Sequence, residues 1–254
     1  MNILVLVKQV PDTEAKITVS GGKVNESGIK WIVSPYDEIA LEEAIRIKEK
    51  TGATVTAISV GTDNAVSALR TCYAMGADKA TLIKTDGYEM LDAFTISEAI
   101  MKAIEGETYE MILAGRQATD SDNGQVPLII ATKMGIPAIT LTNKITVDGD
   151  KATMECEVEG GEATYESSFP VLITANDRLN EPRYPSLKGI MASKKKQIDT
   201  KELSSLGIDG TSKIEVVGYE PPPERPAGRI IEGEEATDKA KALVDALHNE
   251  IKVI

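Results

Sequence analysis

One alternation dominates the chain up to about residue 141: a short, almost continuously apolar run, then a stretch with helical spacing, repeated several times. The runs are NILVLV (2 to 7), TVTAISV (54 to 60), KATLIK (79 to 84), EMILAG (110 to 115) and PAITL (137 to 141). Strands that are apolar on both sides must be covered on both faces, which is the situation of parallel strands joined by crossover helices. The pattern therefore predicts a doubly wound, mostly parallel α/β sheet of the Rossmann-like kind.

The intervening segments read as those helices. Tyr36, Ile39, Ala40, Ala44 and Ile47 fall on one helical face, and Glu42, Glu43, Arg46 and Glu49 on the other. Ser34 is placed to cap that helix, with Pro35 at its first position and Asp37 at its third, close to a capping box. Further helices are expected at about 64 to 75, 92 to 105 and 124 to 134, with Gly76 and Gly135 just past two of their ends. Residues 13 to 33 interrupt the alternation and read as a hairpin turning at Gly21-Gly22.

Beyond residue 141 the spacing changes to period two, NKITVDGDKATMECEV and EATYESSFPVLITA, with a turn at Asp148-Gly149, so added antiparallel strands are expected. From Asn176 the chain is basic, then proline-rich (219 to 228), and residues 234 to 251 form one more helical pattern. Three regions follow: a nucleotide-binding domain over 1–185, a basic docking segment over 186–200, and a C-terminal arm with a helix over 201–254 that embraces a partner.

A formal net charge of −12 argues against a nucleic-acid partner, since neutralising phosphates needs a cationic excess. No run reaches the ~20 apolar residues of a membrane span, and the first residues are too short a run for a secretory signal. A cytoplasmic location is the expectation. Cys72 and Cys156 lie far apart, without a CxxC partner, and read as buried thiols rather than a disulfide or zinc framework. The single histidine, His248, leaves no Ser/His/Asp triad to build.

The stretch GRQATDSDNGQVP, Gly115 to Pro127, joins a strand to a helix. As a calcium loop it fails, because counting from Asp120 puts Gly124 at position five and Ala131 where a bidentate Glu belongs. An Asp-x-Asp magnesium site, as in metal-dependent nucleotide-sugar transferases, stays open. So does a nucleotide pocket, since ligands of open parallel sheets bind beyond the carboxyl ends of strands where strand order reverses. There the free amides of Asn123, Gly124, Gln125 and Val126 would attract an anion, leaving Asp120 and Asp122 to cap, fix the loop or bond a ribose. The bland alternative is an Asx turn and a helix cap. SGGKVN, 20 to 25, reads as a turn, and neither a Walker A motif nor GxGxxG occurs.

The second informative stretch is NDRLNEPRYPSLKGIMASKKKQI, Asn176 to Ile198, which concentrates Arg178, Arg183, Lys188, Lys194, Lys195 and Lys196 in an acidic protein. Leu187, Ile190 and Met191 at helical spacing give it an apolar anchor inside a basic ring, suited to an acidic protein partner. A solvated charge run is the simpler reading.

RLNEPRYPSLKGIMASKKKQI resembles a signature of the β subunits of electron-transfer flavoproteins. VLVKQVPD, SPYDEIALEEAIRIKE, RTCYAMGAD, GRQATDSDNGQ and LGIDGTSKIEVV extend the resemblance over nearly the whole chain. The resemblance implies a heterodimer with an α subunit holding one FAD, while this subunit holds a second adenine nucleotide. In the mitochondrial type that is a structural AMP, and in electron-bifurcating relatives a redox-active FAD. It puts nucleotide contacts on Leu6, on Ser34, Pro35, Tyr36 and Asp37, on Val60, and on Ala118, Thr119, Asp120, Ser121, Asp122, Asn123, Gly124, Gln125 and Val126. The loop through Asp122 and Gly124 is shorter than the mitochondrial AMP-binding version, which favours FAD. Further implied partners are NADH as hydride donor, ferredoxin or flavodoxin, and an acyl-CoA dehydrogenase anchored on Leu187. No residue is expected to act as nucleophile or general base.

Overall fold

The computed structural model describes residues 1–88, 90–223 and 227–254, so 224–226 of the proline-rich stretch lie outside the described residues. In chain order the strands and helices are β1 (Asn2–Leu6), β2 (Gln9–Pro11), β3 (Thr18–Ser20), β4 (Lys23–Asn25), β5 (Trp31–Val33), α1 (Pro35–Thr51), β6 (Thr54–Gly61), α2 (Val66–Met75), β7 (Lys79–Lys84) and α3 (Ala93–Ala103). Then come β8 (Met111–Gly115), α4 (Gln125–Met134), β9 (Ala138–Asp148), β10 (Lys151–Val158), β11 (Gly161–Ser168), β12 (Val171–Ala175), α5 (Leu187–Ser193), β13 (Asp199–Glu202) and α6 (Ala236–Asp245).

Nine of these strands form one sheet in the order β11-β10-β9-β12-β8-β1-β6-β7-β13. Pairing is parallel from β9 across to β13, and β10 and β11 are added antiparallel at one edge. Alternate residues of each strand face opposite sides. Ile3 and Val5 of β1, Val55 and Ala57 of β6, and Met111 and Leu113 of β8 pack under α1 and α2. Leu4 and Leu6, Ile58, and Ile112 and Ala114 pack under α3 and α4. This two-sided burial is what the unbroken apolar runs require.

The chain proceeds from β1 outward through β6 and β7, then returns past β1 to β8 and continues the other way. Strand order therefore reverses between β1 and β8, which opens a crevice at their carboxyl ends.

The hairpin about Gly21-Gly22 forms as β3 and β4, while Trp31–Val33 pairs instead with Gln9–Pro11. Three expectations are corrected. The run 137–141 continues to Asp148, its second half pairing antiparallel with β10. EATYESSFPVLITA is not one period-two strand but two, and its second half, Val171–Ala175, is a fully buried parallel strand between β8 and β9. Glu42 and Glu43, placed by spacing on a solvated face, are 2% and 7% exposed. Residues 180–183 lie over that face: the Asn180 side-chain amide donates to Glu43 at 3.0 Å and Arg183 Nε to Glu42 at 2.8 Å.

The chain divides into two compact units, Met1–Gly218 and Tyr219–Ile254. In the first, β13 pairs with β7 and closes the far edge of the sheet. In the second, α6 continues into π-helical turns over Ala246–Ile251, and Arg229 forms an ion pair with Glu250 at 2.7 Å. His248 Nδ1 lies 2.9 Å from the Ile254 carbonyl oxygen within that unit. Among the described residues, no helix is long and apolar enough to cross a membrane.

Candidate nucleotide site

The crevice between β1 and β8 contains a cavity of about 190 Å³, lined by Leu6, Lys8, Asp37, Val60, Gly115, Ala118, Ser121 and the run Asn123 to Pro127, together with residues of α3 and Ile214. Its walls are largely aliphatic: Leu6 and Val60 from strand ends, Ile96 and Ile100 from α3.

Its floor is fixed by one carboxylate. Asp37 Oδ2 accepts the backbone N–H of Lys8 at 2.8 Å, and Asp37 Oδ1 accepts that of Gly115 at 2.8 Å. Asp37 thus clasps the carboxyl ends of β1 and β8 across the reversal point. The helical start it belongs to lies so close to β8 that a Cβ on Gly115 would stand 2.6 Å from both Asp37 Oδ1 and the Tyr36 Cβ, so only glycine fits there. Burial pushes the Asp37 carboxyl up to about 7, against the lowering effect of the Lys8 and Gly115 N–H groups and of the Lys8 charge. The capping-box role expected for Asp37 is corrected: Ser34 makes no side-chain cap, and Asp37 serves the neighbouring strands instead.

One wall is the first turn of α4. Gly124 precedes it in the left-handed conformation, φ 61°, with no side chain to cap the helix. Among the described residues, the backbone N–H groups of Asn123, Gly124, Gln125 and Val126 have no protein acceptor. Four donors at the positive end of a helix form a ready anion site. The preceding loop is held by the two aspartates that raised the metal question. Asp120 pairs with Lys8 at 2.7 Å, and Asp122 accepts from the Gln117 side-chain amide at 2.7 Å while its own N–H donates to the Ala118 carbonyl. Lys8 thereby neutralises the carboxylate that would otherwise repel an anion in the crevice.

Of the residues expected at the site, Leu6, Asp37, Val60, Ala118, Ser121, Asn123, Gly124, Gln125 and Val126 line the cavity, whereas Ser34, Pro35, Tyr36, Thr119, Asp120 and Asp122 do not. Ser34 is fully buried with its hydroxyl unpartnered, and Tyr36 lies beside the site, its ring 5.5 Å from the Arg116 guanidinium carbon. Lys8, Gln117 and the start of α3 were missed. Lys8 stands in the VLVKQVPD motif, so its place directly after β1 could have marked it. Asp92 could be read only as a helix cap, which it is: it accepts the N–H groups of Phe94 at 2.9 Å and Thr95 at 3.0 Å.

The basic stretch is divided by the structure. Leu187 and Met191 of α5 are 82% and 71% exposed, and Ile190 is also on the surface. Lys194 and Lys195 are exposed, but Lys196 is half-buried: its ammonium donates to the Ala77 carbonyl at 2.7 Å and sits 4.7 Å from the Tyr73 ring centroid. Arg183 is also withdrawn from any docking ring, paired with Glu42 at 2.8 Å and with Glu49 at 2.5 Å. These two cations are drawn out of the expected basic ring, because the Ala77 carbonyl and the Glu42 and Glu49 carboxylates compete for them.

Comparison with known proteins agrees with this architecture. Residues 21–206 match the model of the electron transfer flavoprotein domain. The chain is 42% identical, over the whole of both chains, to the electron transfer flavoprotein subunit beta of Bacillus subtilis. It is 40% identical to the subunit of the same name from Syntrophomonas wolfei, over all of this chain and 98% of the relative. It is 38% identical to that of Mus musculus, over 91% of this chain and 93% of the relative. With its sheet, its crevice and these full-length similarities taken together, the chain belongs to the electron transfer flavoprotein family, as a subunit of the beta type.

Proposed function

We propose that the crevice between β1 and β8 holds an adenine nucleotide and that this nucleotide is FAD, serving electron bifurcation together with the FAD of an α subunit. The observation that carries the reading is the row of four N–H groups, Asn123 to Val126, unpaired among the described residues, at the start of α4 and on the wall of an aliphatic cleft. Such donors bind phosphate oxygens, and the aliphatic walls accept the flat face of a base. Bound there, FAD would supply the redox chemistry that couples two-electron oxidation of NADH to one-electron reduction of ferredoxin or flavodoxin and, by way of the α-subunit FAD, of an acyl-CoA dehydrogenase. The residues of this chain bind and orient it. The amides hold the phosphates, Asp37 fixes the separation of the two strand ends, and Leu6, Val60, Ile96 and Ile100 exclude water. The same reading makes α5 a docking site for the dehydrogenase, with Leu187 and Met191 as its apolar anchor and Lys194 and Lys195 at the rim.

AMP as a structural ligand is the second reading. It is favoured by the enclosed volume of about 190 Å³, which is small beside the several hundred Å³ of a typical cofactor pocket, so part of a dinucleotide would extend beyond the cleft. The ligand content of the heterodimer, purified after reconstitution with excess FAD, decides between them: two FAD are expected, and one FAD with one AMP would refute bifurcation. Location is tested separately with Gly124→Asp, which sets a carboxylate among the four amides and is expected to strip the β-subunit nucleotide while sparing the α-subunit FAD. Gly124→Asn, of the same shape and equally tolerant of a left-handed backbone, should retain most of it. Full nucleotide content in Gly124→Asp would place the nucleotide elsewhere.

A further inference from the structure

One segment at the cleft is neither strand nor helix. After the 3-10 turn at Leu203–Leu206, the chain runs irregularly through Asp209 to Val217 and brings Ile214 to the cavity wall. Local bonds give it shape: the Thr211 N–H donates to Asp209 Oδ1 at 2.9 Å and the Ile214 N–H to the Ser212 hydroxyl at 3.3 Å. Among the described residues, its one hydrogen bond to the rest of the unit is from the Lys213 N–H to Asp92 Oδ2, 2.9 Å. The Lys213 ammonium lies 5.7 Å from the Phe94 ring centroid, a second contact to the same turn of α3. Apart from the half-buried Gly210 and Ser212, the segment is exposed.

We propose that residues 209–217 are a strap over the nucleotide cleft, latched by the Lys213 N–H on Asp92, and that opening this latch controls nucleotide exchange. The inference rests on the nucleotide reading of the cleft and adds to it the path of entry and release. Three observations converge. Ile214 is the lining residue that comes from outside the β1, β6, β8, α1, α3 and α4 framework and its connecting loops. The latch is a single charge-assisted bond, strong enough to hold a short segment and weak enough to open without unfolding the sheet. The strap crosses Tyr88 at a glycine: a Cβ on Gly210, whose φ is +72°, would stand 2.1 Å from the Tyr88 ring. Burial works against the charge on Asp92, but the N–H groups of Lys213, Thr95 and Phe94 with the Thr95 hydroxyl outweigh it and hold the carboxyl at about 2, so the latch acceptor stays ionised at neutral pH.

Lys213→Pro removes the latch N–H and leaves Asp92 to cap α3, and Lys213→Gln keeps that N–H. Binding and release of radiolabelled AMP and, separately, radiolabelled FAD would be followed in the heterodimer with its α subunit by rapid filtration, beside thermal midpoints. In Lys213→Pro both entry and release should accelerate about 10-fold, the order expected when one charge-assisted hydrogen bond stops holding a closed state. Lys213→Gln should stay near wild type, and Gly210→Ala should follow Lys213→Pro. Wild-type release in both Lys213→Pro and Gly210→Ala overturns the strap, as does faster release with unchanged entry, which describes a wall and not a gate. If instead Gly124→Asp binds both probes like wild type, it is the nucleotide reading that fails.

Discussion

Removing the Asp37 carboxylate tests whether one side chain holds the reversal point of the sheet together. In Asp37→Ala both N–H groups it accepts lose their partner. The Gly115 N–H is buried and cannot recruit water, whereas the Lys8 N–H is only partly buried and can be rehydrated. An orphaned buried donor costs about 1–3 kcal/mol, so the Gly115 N–H contributes near the top of that range and the Lys8 N–H near the bottom, about 3–4 kcal/mol together. That is a large share of the ~5–15 kcal/mol that stabilises an ordinary domain. Asp37→Asn keeps one acceptor but points an amide at the other donor, and should cost about half as much or somewhat more. Urea unfolding of the purified heterodimer gives the totals, and amide hydrogen exchange at Lys8 and Gly115 gives the local effect.

The pH dependence adds a sign. The folded carboxyl titrates at about 7 and its ordinary value is 3.8, so between these limits the folded chain binds more protons than the unfolded one. Stability from this group is therefore greatest at the acid end, falls as pH rises towards about 7, and is flat above. Lys8 and Asp120, the charged groups facing it, are themselves paired and act in opposite directions. The advantage of wild type over Asp37→Asn should shrink between pH 4 and 7. A midpoint in Asp37→Ala within about 0.5 kcal/mol of wild type, with both amides still protected, would refute the clasp.

Arg183→Ala leaves Glu42, whose side chain is 2% exposed, with Arg46 and the backbone N–H of residue 183, and should cost about 1–3 kcal/mol by thermal denaturation, discounted because the Arg183 side chain is 35% exposed; an unchanged midpoint would mean that the pair contributes nothing net. Leu187→Ala should weaken dehydrogenase docking by about 2 kcal/mol with nucleotide content unchanged, read from partner-reduction kinetics, and wild-type kinetics would move the docking surface away from α5. Neutralising Lys194 and Lys195 should slow association and flatten its salt dependence, whereas Lys196→Gln, through its bond to the Ala77 carbonyl, should lower stability with less effect on encounter.

The strands and crossover helices were legible because burial on two faces leaves an unmistakable apolar run, and the crevice was legible because the loop after β8 lies where strand order reverses. What the sequence could not show depends on long-range pairing. Glu42 and Glu43 have the spacing of a solvated face, and only residues 180–183, more than a hundred positions later, bury them. Val171–Ala175 reads as the last strand of a meander until its parallel insertion between β8 and β9 is seen. Lys196 is indistinguishable from Lys194 and Lys195 in sequence, yet among the described residues it is the one of the three that meets a carbonyl and an aromatic ring.

These long-range contacts converge on one helix. At its start α1 holds the strand ends beneath the cleft through Asp37, and along its outer face Glu42, Glu43 and Glu49 hold residues 180–183, the segment leading into α5. Helix α5 is itself seated on α2, where the Arg70 guanidinium donates to the carbonyls of Ser193 and Lys196, and a Cβ on Gly189 would strike the Ala74 carbonyl oxygen. If the cleft takes a nucleotide and α5 a partner, as proposed, both sites rest on the same two helices, α1 and α2. The buried carboxylates of α1, with the close seat on α2, thus fix the position of α5 relative to the cleft.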